Sequence, residues 1–506
     1  MPQRPRVLHV VAFTPFSPAL PATTLADNLK SQWFDIQAGQ HRFVLHGGQL
    51  QFTLCVGDLQ TMLREQQFET DAICLAPNLG WNRWSLKALA RCCRRGATVW
   101  AESQLADEAA ASLQNDLRQA GFVAASPQAN TWRFDPPWAL KTSRQSLRTQ
   151  AAAIADCAII GAGLAGASVA AALGRRGWQV QVLDAGASPA AGASGLPAGL
   201  LAPHVSADDS PRSRLTRAGL RLTRAQAQAL LREGDDWQGS GVLERRLHAG
   251  SNIPELWHAQ GAWMKPQALV QAWLQLGGVN FVGQTRVHAL RRAQGQWQLL
   301  NEQGQLLAQA SQVVLANAID APRLLRTLPE AEALLAKLPP LHGMCGLLSC
   351  GLRQAVAEAN SDALPSYPVN GLGSLIPAVP TDAGLAWYAG ATYESAESPP
   401  APEAAQHQAN LDKLRTLLPA AAAVLAPAFA TGKVQGWRQT RCVSVDRLPL
   451  VGPLEDGPRP TLWISAAMGS RGLSLATLCA ELLAARLGAE PWPVEASLAR
   501  MLQANR

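Results

Sequence analysis

The chain has 506 residues, of which 48% are hydrophobic and only 16% are charged, so it can bury large cores and is not a disordered or fibrous protein. Its formal net charge of +7 allows an acidic partner such as RNA without requiring one. The nine cysteines form no C-x-x-C pair, and no apolar run reaches the roughly 18 residues of a membrane span, which predicts a cytoplasmic protein with reduced thiols, no metal site and no membrane anchor.

The first 138 residues alternate between strand and helix patterns. Strands are expected at residues 7–13, 42–45, 50–55, 71–76 and 97–102, and helices at 59–67, 84–95 and 107–120. This alternation favours a parallel sheet covered by helices. The segment contains no glycine-rich nucleotide loop, so we predict an α/β domain without a ligand of its own.

Residues 139–155 have the composition of a linker, since they follow two prolines and are polar and basic. Lys141, Arg144 and Arg148 lie in this stretch. They are interpreted either as a solvated linker or as contacts to phosphate.

Residues 156–184 read as strand, glycine turn, helix and strand, with the sequence DCAIIGAGLAGASVAAALGRRGWQVQVLD. Gly161 permits the tight turn, Gly163 lets the backbone approach a pyrophosphate, and Gly166 lets the helix pack on the strand. The helix N-terminus favours phosphate charge, and Asp184 can accept hydrogen bonds from ribose hydroxyls. The unit predicts a dinucleotide-binding site, and its sequence fits NAD and FAD equally well.

Two features follow this unit. Gly192-Ala-Ser-Gly195 is a loop of small residues, which is typical either of close approach to a ligand or of an ordinary turn. The helix expected at 212–233 carries five arginines over residues 212–224, at spacings of mostly three and four, which indicates either an RNA-facing patch or a solvated face. They are Arg212, Arg214, Arg217, Arg221 and Arg224.

The remainder alternates again. A helix is expected at 267–276, a hairpin at 286–290 and 296–300, a buried strand at 313–318, mostly antiparallel strands over 341–396, a helix at 406–418 and a strand at 434–443. A last strand at 462–468 leads into Gly469-Ser-Arg-Gly472 and a helix at 473–487. The dipole of such a helix favours the negative charge of a reduced flavin at its N-terminus.

From residue 159 to the end, the chain resembles the FAD-dependent half of the bifunctional tRNA 5-methylaminomethyl-2-thiouridine biosynthesis proteins. The resemblance is carried by AIIGAGLAGASVAAALGRRGWQVQVLDA, GASGLPAGLLAPHVSADD, TRCVSVDRLPLVGPLED and AAMGSRGLSLATLCAELLAARLG, in the order of the family. It implies a Rossmann-like FAD-binding domain and an antiparallel or mixed β-sheet substrate domain of the D-amino-acid-oxidase and glycine-oxidase type. A small, degenerate, methyltransferase-like α/β domain would precede them.

The resemblance divides the chain into residues 1–138, a linker at 139–155 and an oxidoreductase at 156–506. Its FAD domain would comprise residues 156–235, 265–335 and 432–500, and its substrate domain residues 236–264 and 340–431. The residues expected to bind FAD are Gly161, Ala162, Gly163, Leu164, Ala165, Gly166, Asp184, Ala185, Gly192, Ala193, Ser194, Gly195, Gly469, Ser470, Arg471, Gly472 and Leu473.

The implied activity is removal of the carboxymethyl group from 5-carboxymethylaminomethyl(-2-thio)uridine at the wobble position of tRNA, which gives the 5-aminomethyl nucleoside and glyoxylate. A cation should hold the substrate carboxylate. Arg438, Arg441 and Arg471 are the candidates, with Tyr393 as a hydrogen-bond partner, although each could equally serve as an interface ion pair or a core contact. We expect a monomeric flavoprotein.

The N-terminal domain resembles the methyltransferase half of this multifunctional family in an eroded form. Thr14 stands where an acidic residue is expected, and DAICLAPNLGWNRW lacks the aspartate and glycine of an Asp-Gly-Phe-Ala-Pro signature. The S-adenosylmethionine loop that would precede residue 7 is missing, so we expect no methyl transfer. Leu196 replaces a polar residue, and the segments at 344–346 and 373–377 depart from the family, which leaves the details of the substrate pocket open.

Two other functions stay open from the sequence. The first is a small amine or amino-acid oxidase on the same fold, and the second is a tRNA-binding scaffold without catalysis. The retained N-terminal domain and the basic charge favour tRNA over a free amino acid. The intact glycine turn, Asp184 and the Gly469–Gly472 turn favour catalysis over scaffolding.

Overall fold

The computed structural model describes residues 7–18, 27–101, 107–125, 130–140, 150–246, 255–355 and 363–506. The linker residues Lys141, Arg144 and Arg148 lie outside this part. The chain forms two compact units, a smaller one of residues 1–153, 456–460 and 481–501 and a larger one of residues 154–455, 461–480 and 502–506. In the described ranges, no helix combines the length and the apolar character that crossing a membrane requires.

The strands are, in chain order, β1 Leu8–Thr14, β2 Gly39–Leu45, β3 Leu50–Val56, β4 Thr70–Leu75, β5 Cys93–Ala101, β6 Phe122–Ala124, β7 Thr131–Phe134, β8 Asp156–Ile160, β9 Gln179–Leu183, β10 Gly199–Leu201, β11 Trp237–Gln238, β12 Val242–Arg245, β13 Glu255–His258, β14 Ala262–Met264, β15 Val279–Val282, β16 Ala289–Ala293, β17 Gln296–Leu300, β18 Leu306–Ala310, β19 Gln312–Leu315, β20 Leu341–Leu352, β21 Val369–Gly371, β22 Gly373–Thr381, β23 Gly384–Gly390, β24 Glu394–Ser395, β25 Gln435–Ser444, β26 Leu450–Pro453 and β27 Leu462–Ala466.

The helices are α1 Asp27–Lys30, α2 Leu59–Arg64, α3 Arg83–Ala90, α4 Asp107–Gln119, α5 Leu164–Arg175, α6 Pro211–Leu230, α7 Pro266–Leu274, α8 Ala321–Leu325, α9 Ala331–Ala336, α10 Glu403–Leu417, α11 Pro419–Ala430, α12 Gly472–Gly488 and α13 Ala496–Arg500.

The smaller unit contains two short mixed sheets, with strand orders β1-β3-β2 and β4-β5-β7-β6, so the single parallel sheet expected there is wrong. β2 and β3 pair antiparallel because Gly47 and Gly48, with φ of 64° and 95°, close a tight connection between them. The helix expected to reach residue 95 ends at Ala90, since the chain from Cys93 onward joins β5.

The C-terminal segment 481–501 completes the core of the smaller unit. The buried Arg42 on β2 donates to the carbonyls of Pro491 and Trp492 at 2.6 and 3.0 Å. The backbone N–H of Gln40 donates to the Glu495 carboxylate at 2.8 Å. These bonds satisfy polar groups that would otherwise be buried without partners.

The larger unit is built on a six-stranded sheet of order β15-β9-β8-β19-β27-β26, which is parallel except for β26. Its central strands are mostly apolar and almost entirely buried, as parallel strands covered on both faces are. The carboxyl ends of β8, β9, β19 and β27 therefore meet along one edge, where open α/β sheets bind ligands.

A second sheet of the larger unit has the order β13-β12-β21-β22-β23-β20-β24, and β25 also pairs with β20. The long β20–β25 ladder places Met344 opposite Arg441 and Leu347 opposite Arg438. Helices α10 and α11 pack on this sheet through a cluster that includes Leu375, Trp387 and Leu411. The antiparallel region expected at 341–396 forms most of this sheet.

Helices α6 and α12 cross at unusually short range. A Cβ atom on Gly219 would lie 1.7 Å from the carbonyl oxygen of Ser474, so only glycine allows the two backbones to approach this closely. The hydroxyls of Thr223 and Thr477 join the same helices at 2.8 Å.

The arginine stripe on α6 is neither a continuous RNA-facing patch nor a solvated face. Arg221 is only 1% exposed, Arg217 pairs with Asp209 at 2.9 Å, and Arg224 packs over Trp237 at 5.5 Å from the ring centre. Both sequence-based interpretations are wrong for these three arginines, because the helix turns this side toward the protein.

Candidate active site

Two positions of the glycine turn between β8 and α5 have no room for a side chain. Gly161 has a φ of 108°, and a Cβ there would lie 2.6 Å from the carbonyl oxygen of Ala316. A Cβ on Gly166 would lie 1.9 Å from the carbonyl oxygen of Gly161. Because neither position has room for a side chain, the first turn of α5 stays open to a ligand on its other side.

Asp184, at the end of β9, organises this turn. One carboxylate oxygen accepts the N–H of Ala162 at 2.7 Å, and the other accepts the N–H of Gly186 at 2.7 Å. A carboxylate has about four acceptor positions, so the group retains capacity for a ligand hydroxyl. Ser194 accepts the N–H of Leu164 at 2.9 Å, which attaches the loop at 192–195 to the start of α5.

A cavity of about 850 Å³ extends from this turn to the second sheet. Most of the expected cofactor residues line it: Gly161, Gly163, Leu164, Ala165, Asp184, Ala185, Gly192, Ala193, Ser194, Gly469, Ser470, Gly472 and Leu473. Ala162, Gly166, Gly195 and Arg471 are not among the lining residues. Ala162 and Gly166 instead form and support the turn through the contacts described above.

Other lining residues carry no local sequence motif. Asn317 follows β19, and its side-chain oxygen is buried without a hydrogen-bond partner among the described residues. An orphaned buried acceptor beside a cavity indicates a site built for a polar ligand. Thr285 and Arg286 line the cavity as well.

The opposite end of the cavity lies against the second sheet and is positively charged. Arg441 on β25 lines it, and its Nη1 donates to Ser470 at 2.8 Å. Burial lowers the pKa of this guanidinium, yet within the described ranges no carboxylate approaches it to 4.0 Å. Lys413 donates to the carbonyl of Ala391 at 2.8 Å, and its pKa is lowered by burial and then by Arg441.

The four catalytic candidates do not converge on one point. Arg441 and Tyr393 both line the cavity, with the guanidinium 5.6 Å from the ring centre. Arg438 is not a lining residue, and its Nε donates to the sulfur of Cys345 at 3.2 Å. Arg471 lies in the turn before α12, where burial and then the charge of Arg212 lower its pKa.

The remaining wall at this end is largely apolar and aromatic. Leu348, Tyr388 and Trp437 line it. Burial raises the pKa of Tyr388 to about 12, so its hydroxyl stays protonated near neutral pH. The site thus combines an anchor for a negatively charged group with surroundings that exclude water.

The family profile described as FAD dependent oxidoreductase matches residues 156–247 and 240–486 of the chain. The fold and the glycine-turn cavity are therefore those of an FAD-dependent oxidoreductase. Glycine oxidase from Geobacillus kaustophilus has the same fold, with a TM-score of 0.54 at 18% identity over 70% of this chain and 99% of that chain. The predicted fold class is confirmed.

The chain belongs to the family of the tRNA 5-methylaminomethyl-2-thiouridine biosynthesis bifunctional protein MnmC. It is 45% identical to the member from Albidiferax ferrireducens over 548 aligned residues, which cover 100% of this chain and 89% of the relative. It is 42% identical to the member from Polaromonas naphthalenivorans, over 98% of this chain and 84% of that protein. The resemblance found in the sequence is confirmed.

Proposed function

We propose that this protein uses FAD to remove the carboxymethyl group of 5-carboxymethylaminomethyl(-2-thio)uridine at wobble position 34 of tRNA, which leaves the 5-aminomethyl nucleoside. The observation that carries the proposal is Arg441, a largely buried cation on the wall of the cavity with no carboxylate partner in the described part of the chain. The family name, which refers to biosynthesis of a modified tRNA uridine, supplies the substrate class.

The cavity residues suit FAD. The Gly161–Gly166 turn and the α5 N-terminus would hold the pyrophosphate, and Asp184 would accept from a ribose hydroxyl. The orphaned Asn317 oxygen supplies a further acceptor. The turn at residues 469–472 opens α12, whose N-terminal dipole favours negative charge.

The substrate carries an N–CH₂–COO⁻ group that resembles glycine. Arg441, held by Ser470, would bind its carboxylate, and the Tyr393 hydroxyl would donate a second hydrogen bond. Bound FAD would supply the hydride acceptor for the C–H next to the nitrogen, and water would hydrolyse the resulting substrate imine to amine and glyoxylate. The protein's own contribution is to position the group and to keep it neutral at nitrogen in a dry pocket.

We also propose that the N-terminal domain does not transfer methyl groups. At the end of β1, the hydroxyl of Thr14 donates to the carbonyl of Phe16 at 2.9 Å, where a methyltransferase of the family would place an acidic side chain. The described strands of this unit form two separate small sheets rather than one continuous sheet for a cofactor to lie on. A role in supporting the oxidase or in docking tRNA remains for this domain.

The test is to incubate the purified flavoprotein with tRNA that carries 5-carboxymethylaminomethyluridine and to follow nucleoside mass and glyoxylate. We expect loss of the carboxymethyl mass with one glyoxylate per nucleoside. Turnover of free glycine or N-methylglycine without conversion of the tRNA would favour the small-amine oxidase. A protein that binds tRNA but no flavin would favour the scaffold.

A further inference from the structure

Arg447 and Arg471 lie near Tyr393, and Arg212 contacts the residue before Arg447, so we call these three arginines the Tyr393 cluster. Tyr393 lines the cavity and is 39% exposed. Arg447 donates to the Tyr393 hydroxyl, and its guanidinium lies 5.2 Å from the ring centre. Arg212, in the first turn of α6, donates to the carbonyl of Asp446 at 3.4 Å.

Arg471 belongs to the same cluster on electrostatic grounds. After burial, the positive charge of Arg212 is the largest influence that lowers the pKa of Arg471, and the Tyr393 hydroxyl raises it. The two guanidinium groups are therefore close enough to repel each other. Repulsion between like charges destabilises the folded protein unless an anion offsets it.

The nearby acidic groups are paired with other residues, and Glu244 acts on Arg471 only as a minor influence. Asp446 accepts two hydrogen bonds from Arg506, at 2.6 and 2.7 Å, and a third from Ser444. Glu244 pairs with Arg246 and with His258. Among the described residues, no carboxylate oxygen lies within 4.0 Å of any arginine of the Tyr393 cluster. The buried Nε of Arg212 has no hydrogen-bond partner there either.

We propose that the Tyr393 cluster binds a backbone phosphate of the RNA, next to the nucleotide whose base enters the cavity; this inference rests on the proposed function. Guanidinium groups match phosphate oxygens in geometry and charge. The exposed ring of Tyr393 adds a face on which an unpaired base stacks, as in proteins that bind single strands. The cluster is separate from Arg441, which stays available for the substrate carboxylate.

The inference assigns a different task to each end of the site. Arg441 recognises the reacting group and would act on a free nucleoside and on RNA alike. The Tyr393 cluster recognises the polynucleotide and contributes only when a phosphate is present. Selectivity for RNA over a free nucleoside or a small amine would thus reside in Arg212 and Arg447.

The test uses Arg212→Gln and Arg447→Gln in the full-length flavoprotein, with Arg415→Gln as the matched control, since Arg415 is exposed and already paired with Asp412 at 2.7 Å. Two substrates are compared, a stem-loop RNA carrying 5-carboxymethylaminomethyluridine in its loop and the free nucleoside. The dissociation constant for the same RNA without the modification is measured by fluorescence anisotropy at several salt concentrations. Flavin absorbance and melting temperature check that each variant is folded.

We expect kcat/KM for the RNA to fall about tenfold in each cluster variant, mainly through KM. For the nucleoside, kcat/KM should be unchanged in Arg212→Gln and should fall less than for the RNA in Arg447→Gln, whose side chain contacts Tyr393. The dissociation constant should rise by a similar factor, and its logarithmic salt slope should decrease by about 0.7 for each phosphate that the variant no longer binds. The control variant should behave like the wild type.

An equal loss on nucleoside and RNA, or an unchanged dissociation constant, would overturn the inference. If the wild type converts neither substrate but the cluster variants still bind the RNA more weakly, the proposed reaction fails and the phosphate site stands. Binding and chemistry are therefore judged by separate measurements.

Discussion

Replacing Gly166 with alanine should weaken the binding of the flavin. The added Cβ would lie 1.9 Å from the carbonyl oxygen of Gly161, more than 1 Å closer than real Cβ atoms come to a neighbour. The two nearest atoms are the backbone carbonyl oxygen and carbon of Gly161, so the backbone of the turn must move to make room. Overpacking costs about 1–3 kcal/mol, and this contact belongs at the upper end of that range. The higher helix propensity of alanine offsets about 1 kcal/mol of this destabilisation.

The net loss of roughly 2 kcal/mol falls on the turn that would hold the pyrophosphate, which corresponds to about a 30-fold weaker affinity for FAD. The assay is the ratio of flavin to protein absorbance after purification, followed by titration of the apoprotein with FAD. Gly192→Ala is the matched control, because Gly192 lines the same cavity and its Cβ would meet nothing within 4 Å. A Gly166→Ala protein with wild-type affinity for FAD, or equal losses in both variants, would refute the steric argument.

Three further outcomes are expected. Arg441→Gln should lower kcat/KM on the modified nucleoside about 10- to 100-fold, whereas Arg438→Gln, on the same strand but outside the cavity lining, should have a smaller effect; equal effects would contradict the assignment. Burial tends to raise the pKa of Asp446, but hydrogen bonds, above all from Arg506, hold that pKa at about 2, below the ordinary value of 3.8. The ionised carboxylate therefore stabilises the folded protein above pH 4, and this stabilisation is lost as the pH falls toward 2. Asp446→Asn should therefore reduce the free energy of unfolding at pH 7 by roughly 1 kcal/mol, a small figure because the group is partly exposed, and guanidinium denaturation should show the difference disappearing near pH 2. S-adenosylmethionine added to aminomethyl-tRNA should give no methylated nucleoside by mass spectrometry, and a methylated product would overturn the proposed loss of that activity.

The glycine-turn end of the candidate site could be predicted from the sequence because its signals are local. Gly161 and Gly166 lie next to the atoms that exclude a side chain, and Asp184 ends the next strand. Asn317 closes a buried strand that the sequence predicts near the glycine loop, but no motif marks its side chain. Its importance arises only when β19 pairs beside β8 and brings its carboxyl end to the same edge.

The arginine at the opposite end of the cavity was harder to predict from the sequence, and strand geometry explains why. Arg438 and Arg441 are three positions apart, and alternate residues of a strand face opposite sides. Arg441 lines the cavity, whereas Arg438 lies on the other face of the strand and donates to Cys345. The sequence makes both arginines candidates for the site. The pairing of β25 with β20 decides which face of β25 lies against the cavity.

In the N-terminal region, the pattern of helices and strands in the sequence does not predict how the strands pair. Most of its strands and helices lie near their expected positions, but their alternation does not determine which strands pair. Antiparallel pairing of β2 with β3 follows from a short glycine connection. Pairing of β7 with β5 joins residues that are distant in sequence, such as Thr98 and Arg133.

The close crossing of α6 and α12 at Gly219 has a consequence for substrate range. The first turn of α6 carries Arg212, and α12 begins at the turn that lines the cavity, so the close approach at Gly219 fixes the distance between the proposed phosphate contact and the proposed flavin site. A larger residue at position 219 would push α12 away from α6 and lengthen that distance. Relatives that differ at this position would then be expected to accept nucleotides of different reach, and a designed change there offers a way to alter the preference for polymer over monomer while leaving both sets of binding groups intact.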